Sequence, residues 1–443
     1  MENKNFNPFE KLSKSIRSSV TIKLLSIGIL ILLLMIPVSQ VQNLINEREG
    51  YRQQVVDEVS EKWGGEQTIV GPILTIPYKE LVDAKDNTVY EYIRYAHFLP
   101  SKLDIQSSIK PDIRRRGIYE VALYNATSEF TGVFQVPNFD LFDINPELIL
   151  WEEAFISVGI PDMAGINSSI ELLWNKNEYS FEPGVPTKDV IVSGISARLN
   201  VNEEKENSFA FSLDLNGSKS YSFVPVGKET SAQMESSWKN PSFSGRFLPD
   251  DHHIGDKGFS ATWKVFDFNR NYPQQWLGTA YDLSLSVFGV DLFMPINHYQ
   301  KNMRSAKYAF LIIALSFLVY FFFEILNKRR IHPFQYILVG LSLSIFYVLL
   351  LSFTEHIGFD SAYAIAAIMV IALIVGYSSA IFKSKRLTIL LSLFLLLIYS
   401  FIYVILQLQD YSLLVGSIGL FIVLSITMYL SRKIDWYDLS SSD

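Results

Sequence analysis

The sequence predicts a membrane α-helical bundle of six transmembrane helices plus a large all-β, sandwich-like extracytoplasmic domain, in one lobe or two. Three observations predict it. Apolar runs near the ~20 residues that a helix needs to cross a bilayer lie at about 24–44, 308–326, 333–353, 360–382, 387–408 and 411–430. Lys and Arg gather in every second connection between those runs. The roughly 260 residues between the first two runs contain no such stretch and alternate polar with apolar, as half-buried strands do.

The central hairpin orients the rest. Tyr308 to Phe323 and Phe334 to Phe353 show no polar stripe every three or four positions, unlike a soluble core helix. The turn between them carries Lys328-Arg329-Arg330, which belongs on the cytoplasmic side. Later turns agree. Thr354-Glu355-His356-Ile357-Gly358 and Gln409-Asp410 hold no Lys or Arg, whereas Lys383-Ser384-Lys385-Arg386 and Ser431-Arg432-Lys433 are basic. With the leader 1–23, which carries five basic residues against Glu2 and Glu10, this fixes both termini inside and the β-rich region outside.

Composition narrows the function. Charged residues are 19% and aromatics 14%, a balance that suits a chain part membrane and part folded domain. A net charge of −7 argues against a nucleic-acid partner, which wants a basic surface. The absence of cysteine excludes disulfides, thiolate catalysis and cysteine-ligated zinc or iron–sulfur sites. An outer domain must then be held by its apolar core alone.

In order, the chain reads as a cytoplasmic leader (1–23), a first span (24–44), a periplasmic β-rich domain (45–303), a membrane block (304–431) and a cytoplasmic tail (432–443). A cleavable signal peptide competes for the first run. Its apolar stretch is long for one, and Val38-Ser39-Gln40-Val41-Gln42 offers no small-x-small site, so an uncleaved anchor is expected. Asn46 to Lys62 is expected to continue as a polar helix. Strand candidates follow at Gly71–Tyr78, Val89–Phe98, Gly117–Tyr124, Ser260–Phe268 and Tyr281–Phe293. Phe209–Leu215 meets Asn216-Gly217, a strong short hairpin signal, with Tyr221–Val226 as the returning strand.

These residues carry a resemblance. Lys307-Tyr308-Ala309, Phe322-Phe323-Glu324, His332-Pro333, Leu338-Val339-Gly340-Leu341-Ser342 and Thr354-Glu355-His356-Ile357-Gly358-Phe359 make its densest block. Val70-Gly71-Pro72, Phe98-Leu99-Pro100, Arg116-Gly117-Ile118-Tyr119, Phe247-Leu248-Pro249 and Ile434-Asp435-Trp436-Tyr437 extend it along the chain. The sequence resembles the CreD family of bacterial inner-membrane proteins. The resemblance implies a Gram-negative inner-membrane protein tied to cell-envelope integrity and induced with a two-component envelope or carbon-source response. It brings no known reaction and no site residue.

Candidate chemistry is sparse. Asp250-Asp251-His252-His253 resembles a ligand cluster, but adjacent residues on a strand point apart, and a solvated turn is expected. His97 reads as a packed histidine, and Arg114-Arg115-Arg116 as a solvated run with lipopolysaccharide phosphate as its alternative. The basic loops Lys328-Arg329-Arg330, Lys383-Lys385-Arg386 and Arg432-Lys433 act as topology signals and can meet anionic lipid. There is no Walker, H-E-x-x-H, Rossmann or G-x-S-x-G pattern; Gly416-Ser417-Ile418-Gly419 reads as a close-packing helix surface.

No span centre carries a charge. Glu324 is nearest, at the cytoplasmic end of the second span, within reach of Lys328. That weighs against an ion-coupled transporter. Gln335 and Gln407 are expected to meet interfacial water. Tyr308, Tyr320, Tyr336, Tyr347, Tyr377, Tyr411 and Trp436 are expected at the membrane–water interface.

The sequence therefore assigns no catalytic, cofactor-binding or metal-ligating residues and no cofactor. The expected partners are membrane lipids and an envelope protein or glycolipid, without nucleic acid; the oligomeric state is not fixed. A non-catalytic binding or scaffold role comes first. A transporter or channel component for a lipid or hydrophobic solute, and a membrane-anchored enzyme with an unrecognised site, are the alternatives.

Overall fold

The computed structural model describes residues 20–83, 89–292, 294, 298–327, 331–408 and 411–432. The leader, the Lys328-Arg329-Arg330 turn, Gln409-Asp410 and the tail beyond Arg432 lie outside them. The chain divides into a helical unit, Met1–Tyr51 with Ile296–Asp443, and a β-rich unit, Arg52–Pro295.

The helical unit is built from apolar runs that satisfy their own backbone, as spanning segments must. Its elements are α1 (Val20–Trp63), α2 (His298–Lys307), α3 (Ala309–Leu326), α4 (Pro333–Ile357), α5 (Phe359–Phe382), α6 (Lys385–Gln407) and α7 (Ser412–Ser431). With α2 and α3 taken as one run, His298–Leu326, six helices are long and apolar enough to cross a membrane among the described residues. That second run starts at His298, well before 308. α1 continues without a break through the polar segment to Trp63, so its last residues belong to the β-rich unit.

Inside the helical unit, small residues permit close approach. A Cβ on Gly340 of α4 would overlap Leu34 of α1, and one on Gly419 of α7 would overlap Phe401 of α6. The close-packing reading of Gly416 to Gly419 thus holds at Gly419, whereas Gly416 faces open space. α7 has no buried residue.

The β-rich unit begins with β1 (Gln67–Asp83), β2 (Val89–Phe98), β3 (Lys102–Arg116), β4 (Tyr119–Phe134), β5 (Phe155–Gly159) and β6 (Glu171–Trp174). It continues with β7 (Asn177–Ser180), β8 (Glu182–Pro183), β9 (Gly194–Arg198), β10 (Asn207–Ser218), β11 (Ser220–Phe223) and β12 (Glu229–Ser236). β13 (Pro241–Gly245), β14 (Asp251–Gly255), β15 (Gly258–Phe266), β16 (Gln275–Leu277) and β17 (Phe288–Leu292) complete it. A nine-stranded sheet runs β13-β17-β11-β1-β5-β9-β8, with β2 and β16 branching from β1. An eight-stranded sheet runs β14-β15-β12-β3-β4-β10-β6-β7.

Alternation explains the strands. In β10, Phe209, Phe211, Leu213 and Leu215 are buried while Ser208 and Ser212 are exposed. In β15, Phe259, Ala261, Trp263 and Val265 are buried on the same rule. Side chains of both sheets enter one apolar cluster. Phe130 of β4 lies 5.7 Å from Phe223 of β11, and Trp263 of β15 lies 5.5 Å from Phe288 of β17.

Three strand expectations need correction. Asn216-Gly217 makes no hairpin: β10 runs through it to Ser218, and β11 joins the other sheet, parallel to β1. Gly217 is needed for room. It sits opposite Tyr124, whose ring fills the space a Cβ would take and whose hydroxyl donates to the Ser220 carbonyl at 2.6 Å. Asn216 instead exchanges amide hydrogen bonds with Asn167 at 2.8 and 3.0 Å. Gly117-Ile118 is the turn between β3 and β4, with Gly117 at φ +61°, where a side chain is disfavoured. Tyr281 to Val287 forms no strand, Ser284–Ser286 being a single 3-10 turn, and the last strand begins only at Phe288.

Gly217→Ala is expected to destabilise the β-rich unit by about 1–3 kcal/mol, because the added methyl must displace a fully buried ring. Trp fluorescence during thermal unfolding checks this. Six of the seven tryptophans (63, 151, 174, 238, 263 and 276) lie in that unit.

Candidate functional site

An open cleft of about 530 Å³ lies at the β14–β15 hairpin and the facing parts of β3 and β12. Its polar rim mixes Lys110 and Lys257 with Glu235, Asp256 and the His253 ring. Ser108, Ser236, Ser237 and Ser260 add hydroxyls, and Phe259 gives it an apolar floor. The hairpin builds this rim because β14 pairs only with β15, so its outward side chains meet solvent.

Of the Asp250 to His253 cluster, Asp250 lies in a bend, Asp251, His252 and His253 lie on exposed β14 and not in the turn expected for them, and His253 alone lines the cleft. Neighbouring side chains diverge as a strand requires. Asp250 accepts from the Lys264 amide at 2.6 Å, the His252 ring lies 5.3 Å from Phe243, and His253 faces the cleft. Among the described residues no three His, Asp or Glu side chains come close enough to hold a metal ion.

Arg114, Arg115 and Arg116 end β3 exposed yet engaged. Arg114 lies 3.8 Å above the Trp63 ring, Arg115 meets Glu120 at 2.6 Å and Arg116 meets Glu58 at 2.6 Å. The Arg114 and Arg116 contacts, with Lys219 on Asp57 at 2.8 Å, tie the last turns of α1 to the sheets. A run so neutralised has little charge left for phosphate.

His97 is packed, as read, inside β2. Thr75 Oγ1 lies 3.0 Å from its Nδ1, Asp189 Oδ2 lies 3.4 Å from its Nε2, and the Trp276 ring lies 5.5 Å away. The order hydroxyl–imidazole–carboxylate imitates a nucleophile, its base and an orienting acid. Thr75 is only 2% exposed and His97 only 1%, so no substrate reaches the hydroxyl. Burial lowers the His97 pKa, and Asp189 opposes this without reversing it.

The sign follows. Below the ordinary value of 6.5 the unfolded chain binds a proton that the folded chain resists, so this contribution to stability is full above 6.5 and falls as pH drops. The thermal midpoint of the β-rich unit is expected to fall between pH 7 and 5. His97→Gln is expected to flatten that slope in the same Trp-fluorescence melts.

In the helical unit the polar centre is Glu324, 4% exposed on α3. It is ion-paired with Lys23 of α1, accepts from Tyr336 Oη of α4 at 3.2 Å and accepts from the Ile331 amide at 3.0 Å. Its expected partner Lys328 lies outside the described residues. Sequence reasoning missed Lys23, although a usable signal existed: the alternating basic loops put the start of the first span and the end of the second on the same membrane side.

Other expectations for this unit change too. Tyr320, Tyr336 and Tyr347 are buried among helices, not held at an interface. Interior packing takes them: Tyr320 bonds Ser378, and Phe317 meets the Tyr336 ring edge at 5.3 Å. Tyr411 is exposed, and Trp436 lies outside the described residues. Gln335 caps α4 by accepting from the His332 amide at 3.0 Å. Gln407 bonds Asp360 and, at 3.1 Å, Lys301, and it stays exposed at the helix end.

The family model for the inner membrane protein CreD matches residues 19–437. The inner membrane protein CreD of Escherichia coli K12 is 32% identical over 435 residues, covering 96% of this chain and 95% of that protein. The match takes in the helices at both ends and all seventeen strands between them. The chain belongs to the CreD family of inner-membrane proteins.

Proposed function

We propose that the β-rich unit of this inner-membrane protein lies in the periplasm, folds as a sandwich and works without catalysis, binding a sugar-bearing glycolipid in support of cell-envelope integrity. The cleft at the β14–β15 hairpin carries this reading. Its serine hydroxyls, mixed cations and acids, and buried Phe259 suit a polyhydroxylated ligand, which needs both donors and acceptors along its edges. The mixed charge disfavours a purely anionic ligand. Burial of Thr75 and His97 supports a role other than acyl transfer. The alternating basic loops support the periplasmic placement and cytoplasmic termini.

The test is photocrosslinking in intact cells, with a photoreactive residue at Ser237 or Lys257. Reproducible adducts to a glycolipid at these two positions, and none at exposed Glu204, are the expected result. Adducts to an envelope protein alone would replace the ligand class. Defined hydrolysis by the purified protein, abolished by a single polar substitution in the cleft, would overturn the non-catalytic reading.

A further inference from the structure

The helical unit carries a stripe of buried polar side chains that its hydropathy conceals. On α3, Ser316, Tyr320 and Glu324 recur every four residues, so they share one face, and all three are buried. On α4, Tyr336, Tyr347 and Thr354 are separated by eleven and seven residues, about three and two turns, so they also share one face. These too are buried. From Tyr336 to Thr354 the helix rises about 27 Å, close to the ~30 Å of a bilayer's hydrocarbon core.

One contact joins the two rows directly, and others tie each row to a neighbouring helix. At one end Tyr336 reaches Glu324 at 3.2 Å, and Tyr320 bonds Ser378 of α5. At the other, Thr354 donates to Asn302 Oδ1 of α2 at 3.4 Å. Between them the Phe346 ring lies 5.0 Å from Tyr347 and 4.8 Å from Tyr399 of α6, which holds both phenols beside one aromatic wall.

A second observation points to what fills the stripe. Asn302 Nδ2, Ser305 Oγ, Ser316 Oγ, Tyr347 Oη and Tyr399 Oη are buried with no hydrogen-bond partner among the described residues. All five residues are no more than 2% exposed. Inside a membrane such atoms are costly, and lipid supplies nothing to pair them. The five lie on four helices, Asn302 and Ser305 on α2, Ser316 on α3, Tyr347 on α4 and Tyr399 on α6, and so many in one helical unit are a set, not an isolated packing fault.

We propose that this stripe is hydrated and forms a proton path through the helical unit, with Glu324 as its ionisable station. Water bridging the five atoms to Thr354, Tyr320 and Tyr336 supplies the hydrogen-bond relay that a proton needs. The groups facing Glu324 are Lys23 from α1 and Tyr336 from α4. The Lys23 ammonium, paired with the carboxylate, closes this end of the path. At the opposite end the nearby charged groups are Glu355, bonded to Tyr299 at 3.0 Å, and Arg48, 4.0 Å from Glu355.

The experiment uses the full chain in liposomes with a trapped pH dye and an imposed potassium diffusion potential. Proton entry is expected to exceed that of protein-free vesicles. The Tyr347→Phe/Tyr399→Phe pair, which keeps both rings and removes two hydroxyls, is expected to cut it about tenfold. Glu324→Gln should reduce it too. Hydroxyl-radical footprinting of the unaltered protein is a second measure, with oxidation of Tyr347 and Tyr399 expected and Phe346 spared. Flux equal to empty vesicles, flux indifferent to the double substitution, or unoxidised tyrosines would each overturn the proposal.

Discussion

Glu324→Ala is expected to be the most damaging single change in the helical unit, costing about 3–5 kcal/mol. The substitution strips Lys23 of its partner and leaves the Ile331 amide and the Tyr336 hydroxyl without their acceptor. Lys23→Ala should cost less. The carboxylate then keeps two donors, and the lost lysine was 38% exposed, so its own interactions were partly with solvent. Exchanging the pair, Lys23→Glu with Glu324→Lys, should recover only part of the loss. The ammonium cannot accept from Ile331 or Tyr336. Folded protein recovered from membranes in mild detergent, and its melting by far-ultraviolet circular dichroism, measure all three. Equal losses for Lys23→Ala and Glu324→Ala would show that the ion pair alone matters.

Phe130→Ala is expected to cost the β-rich unit about 3–5 kcal/mol. The ring is fully buried, stacks on Phe211 at 4.7 Å within its own sheet and meets Phe223 of the other sheet edge-on at 5.7 Å. Its removal opens a cavity where the two sheets' side chains meet, so both should weaken together. Trp fluorescence should report one transition shifted to lower temperature. Trp174 and Trp263 of the eight-stranded sheet and Trp276 of the nine-stranded sheet are expected to report alike. Two separated transitions would mean two lobes with separate cores, against the single cluster that joins them.

What was legible in the sequence was whatever depends on neighbours in sequence. The apolar runs marked six helices, and the period of two in Phe209–Leu215 marked β10, because burial on one face writes itself directly into the order of residues. What escaped depends on residues far apart. Asn216-Gly217 looks like a turn because such pairs adopt positive φ cheaply. Here Gly217 has ordinary backbone geometry and serves a tyrosine more than ninety residues away. Likewise a tyrosine near the end of a span fits an interface or a bundle interior equally well, and only the packing of α3, α4 and α5 decides for Tyr320 and Tyr336. The Lys23–Glu324 pair joins residues 301 positions apart. The β14–β15 cleft draws on four strands, and none of its residues forms a motif alone.

We propose that the β-rich unit faces the periplasm while the basic turns face the cytoplasm. The natural chain has no cysteine, so a single introduced thiol reports its own side of the membrane without background. Lys257→Cys on the exposed β14–β15 hairpin and Lys385→Cys at the exposed start of α6 are the two positions to compare. With a membrane-impermeant maleimide on spheroplasts, Lys257→Cys should label at once and Lys385→Cys only after the membrane is broken. Labelling of Lys385→Cys in intact spheroplasts, with Lys257→Cys protected, would contradict the account.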